Sequence, residues 1–403
     1  MVRRGEFESL QKRGIPLGIL VDSNNKQKLG DVSQFVHVEQ FDFSRPISEL
    51  VDKVADIRHR FGIRCLFNVI EFYVAQTAYV ANALHIQNLS IESAGLCLDK
   101  NRMRQRFQER IGPATTARFQ SIRSEVELLS TAQEFGYPVF LQPSNVSASM
   151  WSTRNDDQTS LLTNYRSMLS EVPLYYERLG KKGNELGVVL ADYLEGKNTS
   201  IDCVVDRKGV AFTTPVVDVL TGRDVGIDDY HHFARVLPSH LSTNDQAELG
   251  QLALAGVRAL DMTSCAAHVE FIGNRLGEIA ARPGGNRARI LELAYGIDEL
   301  HAYYQVLTGE TPSLVGKSRN AAAIVTPFPS KKGTLMAIQY LDQLVRLPGY
   351  LYHETRAPIG ATVGLASGGY RAPLYVEFVS ANTDDVRRSV DRVASWSDLY
   401  LVD

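Results

Sequence analysis

The sequence predicts an α/β and α+β protein with more than one subdomain, and three observations support this prediction. Its 403 residues exceed one ordinary hydrophobic core, so two or three subdomains are expected. Residues from about 5 to 95 alternate helix-like and strand-like patterns, which is typical of a parallel α/β unit. Strand-like segments between residues 188 and 219 follow one another through short turns, which predicts an antiparallel sheet.

The composition is that of an ordinary globular protein. Hydrophobic residues make up 44% of the chain and charged residues 22%, and the formal net charge is -3. This balance gives no reason to expect a nucleic acid or a membrane surface as a partner. The N-terminus lacks an apolar signal segment, and no stretch approaches the roughly 18 apolar residues that a membrane span needs. We therefore expect a cytoplasmic protein.

The cysteines are scattered and form neither a Cys-x-x-Cys pair nor a Cys/His metal-binding spacing. They are Cys65, Cys97, Cys203 and Cys265. This scatter favours buried free thiols in a reducing compartment.

The N-terminal unit is predicted to contain a short helix that ends at Gly14 and three strands. These strands are Ile15–Val21, Phe35–Phe41 and Arg64–Ile70. Intervening helices would join them in parallel. The segment Met1–Arg4 is too short to hold a further strand before the first helix, so either the sheet begins without one or the chain is a shortened form.

A helix is predicted to begin after Asp99, whose side chain is a good N-cap, and to end at Gly112. Its apolar face consists of residues one turn apart: Met103, Phe107 and Ile111. Lys100 lies in the first turn, where the helix dipole disfavours a cation. Both a solvated lysine and a ligand-binding lysine are compatible with that position.

A second helix is predicted over Ser124–Phe135, followed by a strand that runs to Gln142 and Pro143. The loop Ser144–Ser149 consists of small residues and could fold its backbone amides over phosphates. An ordinary hairpin connection is the alternative, since the loop contains no glycine.

The following segments predict three strands and a long helix. The strands are Val188–Gly196, which ends in a turn, Thr199–Val205 and Val210–Val219. Ser242 is predicted to cap the helix, whose apolar residues keep helical spacing: Leu249, Leu252, Ala253, Gly256, Val257 and Leu260. Beyond Thr308, short strands and Gly/Pro turns predominate, with a helical pattern near Asp384–Ala394.

Chemically active residues are concentrated between His268 and Gly285. Apolar segments on both sides of Gly273-Asn274 predict a β-hairpin. A three-residue loop would place Glu270 directly opposite Glu278, whereas a two-residue loop would put them on opposite faces. Neighbouring carboxylates repel by roughly 1 kcal/mol or more unless a cation lies between them. The pair therefore predicts a magnesium site, with an exposed hairpin as the alternative.

The residues after the hairpin favour an anion. Arg282 offers a planar fork of donors, and Gly284-Gly285 allow close approach of the backbone just before a helical stretch, Ala288–Tyr295. Together with the carboxylate pair, they predict a site for magnesium and a polyphosphate.

In order along the chain, four segments resemble the ATP-grasp superfamily of carboxylate-activating ligases over roughly residues 10–310. They are Asp99–Arg104, Gly136–Val139, Asp192–Gly196 and His268–Gly285. Two later segments, Ala321–Ser330 and Gly364–Phe378, resemble the C-terminal domain of L-amino acid ligases, a branch related to biotin carboxylase. The resemblance implies three domains: an N-terminal Rossmann-like domain (1–95), an ATP-grasp domain (96–308, with a lid at about 113–190) and a C-terminal mixed α/β domain (309–403).

The resemblance also implies a reaction in which the γ-phosphoryl of ATP is transferred to a carboxylate and an amine attacks the acylphosphate. A small-molecule carboxylate such as an amino acid, an amine, ATP and Mg²⁺ or Mn²⁺ would then be the partners, and a homodimer would be compatible with it. Glu270 and Glu278 would hold the metal and Arg282 would contact the phosphate or acylphosphate. The nucleotide would contact Lys100, Gln142, Ser147, Ser149, Asp192, the Leu194 backbone amide and Asn198, and the substrates Glu71, His232, Gly284 and Gly285.

Several positions depart from the family pattern. The family usually has a lysine at Gln142, a glutamate at Ala191, an acid at Asn198 and an asparagine at Ala280. Loss of the lysine removes a charge-assisted phosphate contact, for which Lys197 is a candidate substitute because it is close to the hinge in sequence. These departures leave a second interpretation open, namely a nucleotide-binding or interaction protein with impaired turnover. A biotin-dependent carboxylase is disfavoured because it would carry a glycine-rich phosphate loop.

Two of the substrate residues have a second interpretation. Glu71 could bind an ammonium group, but a glutamate favoured by a helix dipole is equally compatible with its position. His232 follows His231 in a segment that resembles a substrate wall, and no third ligand nearby supports a metal site there.

Overall fold

The computed structural model describes residues 7–23, 32–146, 149–178, 185–317 and 319–403. A nine-stranded sheet forms the centre of this part of the chain, and a four-stranded, a three-stranded and a two-stranded sheet surround it. No helix in these residues is long and apolar enough to cross a bilayer. All four cysteines are free, as predicted, and three of them are buried.

The N-terminal unit consists of α1 (Glu8–Lys12), β1 (Gly18–Asp22), β2 (His37–Phe41), α2 (Ile47–Phe61), α3 (Val74–Ala83) and α4 (Ile91–Cys97). The two strands pair in parallel, as predicted. The predicted strand Arg64–Ile70 is wrong, because no sheet ladder forms there. Side chains take its backbone groups instead: Asn88 donates to the Leu66 carbonyl (2.9 Å), and the Ile70 amide donates to Asn68 (3.2 Å).

The next elements are α5 (Lys100–Arg110), β3 (Phe119–Ile122), α6 (Glu125–Phe135), β4 (Val139–Pro143), β5 (Thr153–Asn155), α7 (Gln158–Arg178) and β6 (Val188–Asp192). Asp99 and Ser124 cap α5 and α6, as predicted. The strands form an antiparallel sheet in the order β3-β6-β4-β5, whose core with α6 and α7 includes Leu128, Leu141 and Leu161. We call this sheet with α6 and α7 the lid.

The central elements are β7 (Asn198–Val205), β8 (Ala211–Thr213), β9 (Val217–Thr221), β10 (His232–Leu237), α8 (Thr243–Ala259), β11 (Cys265–Ile272), β12 (Arg275–Ala280), α9 (Arg287–Tyr295) and α10 (Glu299–Thr308). Ser242 caps α8, as predicted. The predicted strand Val210–Val219 is two strands, β8 and β9. It divides at Thr214-Pro215, since proline has no amide to donate to a ladder.

The C-terminal elements are β13 (Ala321–Val325), β14 (Gly333–Ile338), α11 (Leu341–Leu344), β15 (Tyr350–Thr355), β16 (Thr362–Val363), β17 (Leu374–Ser380), α12 (Thr383–Ala394) and β18 (Tyr400–Val402). Strands β13, β17 and β15 extend the central sheet from β10. Hydrogen bonding therefore crosses the predicted boundary at residue 308, and the division into three domains remains a prediction.

A buried ion pair joins α9 to the C-terminal part of this sheet. Glu377 on β17 is fully buried, and both of its oxygens accept from Arg289 on α9, from Nε at 3.0 Å and from Nη2 at 2.9 Å. The hydroxyl of Tyr375 donates to the same carboxylate at 2.8 Å. Strand β17 thereby holds the helix that follows Arg282 and Gly284-Gly285.

We expect Glu377→Ala to lower the free energy of unfolding by about 3–5 kcal/mol, since it leaves Arg289 without its buried partner. Glu292→Ala is the matched control, because Glu292 bonds the same arginine (3.0 Å) from a more exposed position. Its cost should stay below about 1 kcal/mol. Urea denaturation measures both, and equal losses would show that the buried pair does not hold α9.

Candidate functional site

The hairpin β11–β12 places Glu270 and Glu278 as cross-strand partners, as predicted, but through a different turn. Ile272 pairs with Arg275, so the loop is the two-residue alternative, which was expected to put the two glutamates on opposite faces. The register then shifts between Glu270 and the next pair, which leaves Gly277 as an extra residue. This β-bulge returns Glu278 to the face of Glu270.

The two carboxylates have different electrostatic surroundings. Burial raises the pKa of Glu278, the charges of Glu270 and Glu71 raise it further, and Lys100 at 3.3 Å lowers it only in part. Burial also acts to raise the pKa of Glu270, but its hydrogen bond with His268 and the nearby His232 outweigh burial and hold that pKa well below its usual range. A divalent cation between the carboxylates would relieve their repulsion.

A buried chain of polar groups supports Glu270. Nδ1 of His268 lies 2.5 Å from Oδ1 of Asp202, and its Nε2 lies 3.0 Å from Oε1 of Glu270. Burial lowers the pKa of His268, but Asp202 and Glu270 raise it more, so the net shift is upward. Nε2 of His232 lies 3.7 Å from Glu270, and burial holds the pKa of His232 well below its usual range.

Asp202 was missed by the sequence analysis. The alternation of side chains along β7 was the available signal, because it puts Ser200 and Asp202 on the same sheet face. In the sheet, Ser200 pairs with Glu270 and Asp202 pairs with His268.

Lys100 is buried and contacts the first residues of the small-residue loop. Its Nζ donates to the Val146 carbonyl at 2.9 Å, and its backbone amide donates to the Ser144 carbonyl at 2.9 Å. Ser149 has a left-handed backbone (φ 54°). Ser147 lies outside the described residues. The loop begins against the same lysine that contacts Glu278, which links the lid to the carboxylate pair.

A second buried cation lies one helical turn after Lys100. In the orientation that satisfies the Gln142 amide, its oxygen accepts from Nη2 (2.6 Å) and Nη1 (3.1 Å) of Arg104. Burial lowers the pKa of Arg104 to about 10, although Glu278 raises it, so the guanidinium is charged at neutral pH. Lys197 was the expected substitute cation, whereas the structure brings Arg104 to Gln142. The i,i+4 spacing from Lys100 was the available signal.

Arg282 is held by Glu71. Its Nε donates to Glu71 at 2.8 Å, and its Nη1 donates to the Pro283 carbonyl at 3.0 Å. Burial lowers the pKa of Arg282, but Glu71 and the other nearby carboxylates outweigh it and raise that pKa. Glu71 also begins a short 3-10 helix, Glu71–Tyr73. Its ion pair with Arg282 is a third role, beside the predicted binding of an ammonium group and the predicted interaction with a helix dipole.

The glycines after Arg282 are packed tightly. The Gly284 amide donates to Asp202 (2.5 Å), and a Cβ at this position would lie 2.4 Å from Nδ1 of His268. The Gly284 amide is therefore engaged by the Asp202 carboxylate and is not free to bind an anionic ligand. The Gly285 carbonyl accepts from Nη1 of Arg287 at 3.2 Å.

Arg287 supplies donors to this region. It is 1% exposed, its Nε donates to Ser200 at 2.8 Å, and its Nη2 has no hydrogen-bond partner among the described residues. Burial lowers the pKa of Arg287. A buried guanidinium nitrogen without a protein partner can donate to an anionic ligand.

The predicted nucleotide hinge connects the lid to the central sheet. Asp192 bonds Arg118 through both carboxylate oxygens (3.0 and 3.2 Å), Leu194 is partly buried in the connection, and Asn198 begins β7. A Cβ on Gly196 (φ 135°) would lie 2.9 Å from the backbone nitrogen of Gly273. The hinge thus packs directly on the tip of the carboxylate hairpin.

The carboxylate pair fits a metal that a nucleotide brings with it. Within the described residues, no group of three or more His, Cys, Asp or Glu side chains could hold a metal ion alone. Magnesium commonly binds one or two carboxylates and completes its shell with substrate phosphates and water. Glu270 and Glu278, with Lys100 beside them, are such a pair.

No family model matches the chain. The chain is 21% identical to the alanine–anticapsin ligase of Bacillus subtilis (strain 168) over 66% of its length, and the match spans 58% of that relative. An L-amino acid ligase from Bacillus licheniformis superposes with a TM-score of 0.82 at 16% identity, over 99% of this chain and 95% of that one. Biotin carboxylase from Campylobacter jejuni, in complex with a β,γ-ATP compound, gives a TM-score of 0.68 at 15% identity over 99% and 89%. The ATP-grasp fold and the resemblance to amino acid ligases are confirmed.

Proposed function

We propose that this protein is an ATP-dependent carboxylate–amine ligase that joins a small amino acid to an amine and releases ADP and phosphate. The observation that carries the proposal is the pairing of Glu270 with Glu278 among buried cations. Lys100 lies 3.3 Å from Glu278, Arg282 interacts with the charges of both glutamates, and Arg104 interacts with the charge of Glu278. Phosphoryl transfer needs chiefly fixed cations and a metal around the transferring group.

The proposed reaction has two steps. A substrate carboxylate oxygen attacks the γ-phosphorus and ADP leaves, which gives an acylphosphate. The amine then attacks the acyl carbon, phosphate leaves and the amine loses a proton. Magnesium held by Glu270 and Glu278 would neutralise phosphate charge, and manganese suits the same oxygen ligands. Lys100 and Arg104 would face the nucleotide phosphates, and Arg282 the phosphoryl group and the acylphosphate.

The remaining roles are those that the resemblance implies. Leu194 would offer a backbone amide to adenine, and Asp192, Asn198, Ser147 and Ser149 would be the further nucleotide residues. Glu71, His232, Gly284 and Gly285 would border the substrate pocket, Glu71 through its hold on Arg282. The names of two relatives, an alanine–anticapsin ligase and an L-amino acid ligase, support amino acids as the substrate class.

Trapping with hydroxylamine tests the acylphosphate directly. With ATP, magnesium and a pool of amino acids, hydroxylamine should intercept the intermediate and give an aminoacyl hydroxamate in proportion to the ADP formed. ADP formation without any hydroxamate or condensed product would contradict the acylphosphate. A parallel reaction without amino acids measures background hydrolysis.

We expect Gln142→Lys to lower the stability of the fold and not to improve ATP binding. The new ammonium would face the Arg104 guanidinium in a buried position. The exchange Arg104→Gln with Gln142→Lys should restore both stability and ATP affinity, since one cation again faces one amide. Calorimetry and thermal unfolding of the two single variants and the double variant measure this coupling. Simple additivity of the single effects would show that Arg104 does not replace the missing lysine.

A further inference from the structure

A cavity lies on the face of the central sheet opposite to Glu270. On β11, Val269 and Phe271 pack into the core beneath α8, whereas His268 and Glu270 face the other side. Thr199, the register partner of Phe271, lines the cavity of about 330 Å³. The cavity extends from α8 to the hinge and the tip of the hairpin and is separate from the carboxylate site.

The interior of this cavity has an apolar wall and one buried hydroxyl group. Leu249 and Leu252 of α8 line it and belong to the core or pack against it. Thr199 is 2% exposed, and its Oγ1 has no hydrogen-bond partner within the described residues. A buried polar atom without a partner costs about 1–3 kcal/mol, so a ligand that bonds this hydroxyl would recover part of that cost.

The rim carries both signs of charge. Lys197 of the hinge lies on one side, and Asp245 and Glu248 of α8 lie on the other. A volume of 330 Å³ is at the lower end of the range for ligand pockets, roughly 300–1,000 Å³, and suits a molecule much smaller than a nucleotide.

We propose that this cavity binds a zwitterionic amino acid with an apolar side chain as an effector. The ligand's ammonium faces the two acids of the rim, its carboxylate faces Lys197 and accepts from the Thr199 hydroxyl, and its side chain lies on the two leucines of α8. This inference rests on the cavity alone and holds whether or not the protein is a ligase.

Occupancy of the cavity would act on two connected elements. The Gly273 amide of the hairpin tip donates to the Lys197 carbonyl of the hinge at 3.0 Å, and both residues line the cavity. Glu270 lies on the strand that enters this tip, and Leu194 lies in the hinge. A ligand that bonds Lys197 and lies beside Gly273 restrains the hinge against the tip of the carboxylate hairpin. We expect it to change the Kd of ATP by about fivefold or more, the lower end of usual coupling between sites.

Calorimetry with the full chain tests the proposal, with L-leucine as the probe. Two analogues separate the recognised groups: 3-methylbutylamine lacks the carboxylate and 4-methylpentanoate lacks the ammonium. Each should bind at least about tenfold more weakly than L-leucine, the loss of one charge-assisted contact. ATP titrations with and without L-leucine measure the coupling.

Cavity variants identify where L-leucine binds. Leu252→Trp fills the cavity and Thr199→Val removes the hydroxyl. Both should weaken L-leucine binding, by about tenfold or more for the tryptophan, and leave the leucine-free Kd of ATP unchanged. Glu248→Ala should weaken it as well, whereas Gln251→Ala, an exposed position on the same helix that does not line the cavity, should not. L-Leucine binding that is absent from the wild type, or unchanged in Leu252→Trp and Glu248→Ala, would overturn the proposal.

Discussion

Glu278→Gln should abolish ATP turnover, with a loss of at least about a hundredfold, the scale of removing one preorganised electrostatic group from an active site. The substitution keeps the shape of the side chain but removes the charge that would hold the metal opposite Glu270. Phosphate release measured at saturating ATP and magnesium gives the comparison with wild type.

The fold of this variant should remain intact. Glu278 lies near the charges of Glu270 and Glu71, which raise its pKa, so the neutral amide removes repulsion as well as the contact with Lys100. The unfolding temperature without metal should therefore not fall, and the increase that magnesium and ATP give to wild type should shrink. Turnover close to that of wild type in this folded variant would refute the metal assignment.

The second large effect is expected from Arg282→Lys. Lysine keeps the positive charge but loses the planar fork, so it cannot bond Glu71 and an acylphosphate oxygen with the same geometry. Turnover should fall by about a hundredfold, whereas the Kd of ATP should change by less than about threefold. Such a split indicates a contact made mainly in the transition state.

Steady-state kinetics and calorimetry on the same Arg282→Lys preparation measure this split. Parallel losses in turnover and ATP affinity would instead mean that Arg282 serves only to bind the nucleotide. Arg166→Lys is a control, because Arg166 also bonds a carboxylate through its planar fork, Glu125, but on the exposed side of the lid, and both quantities should stay close to those of wild type.

Features with a local cause were predictable from the sequence. The caps at Asp99, Ser124 and Ser242 depend on a side chain and amides two or three residues away. The glycine-centred hairpin likewise has its cause within a few residues. The carboxylate pairing forms even with the two-residue loop, because the bulge at Gly277 adds the residue that the shorter loop lacks.

Features that depend on distant contacts were not predictable in this way. Glu71 and Arg282 are separated by 211 positions, and Asp202 lies 66 positions before its partner His268. Strand alternation assigns Asp202 to a sheet face, but no periodicity or capping rule identifies its partner, since the fold alone brings these pairs together. The segment Arg64–Ile70 has a strand-like composition, yet side-chain amides take its backbone groups and no ladder forms.

The structure compensates one of the departures that suggested impaired turnover, but not the others. Arg104 supplies a cation beside Gln142, so the missing lysine no longer implies a missing charge. Ala191 is buried in the lid sheet and offers no carboxylate to the hinge, and Asn198 offers an amide. Under the proposed function, the residues assigned to adenosine therefore depart from the family pattern more than those assigned to the phosphates.

The most direct test of the ligase proposal is phosphate release with ATP, magnesium and pooled amino acids, followed by mass spectrometry of the products. We predict phosphate release that depends on amino acids, together with a product whose mass equals two substrates less one water, and neither should occur with Glu278→Gln. Bound ATP without phosphate release under any combination of acid and amine would contradict the proposal and favour a nucleotide-binding protein without turnover.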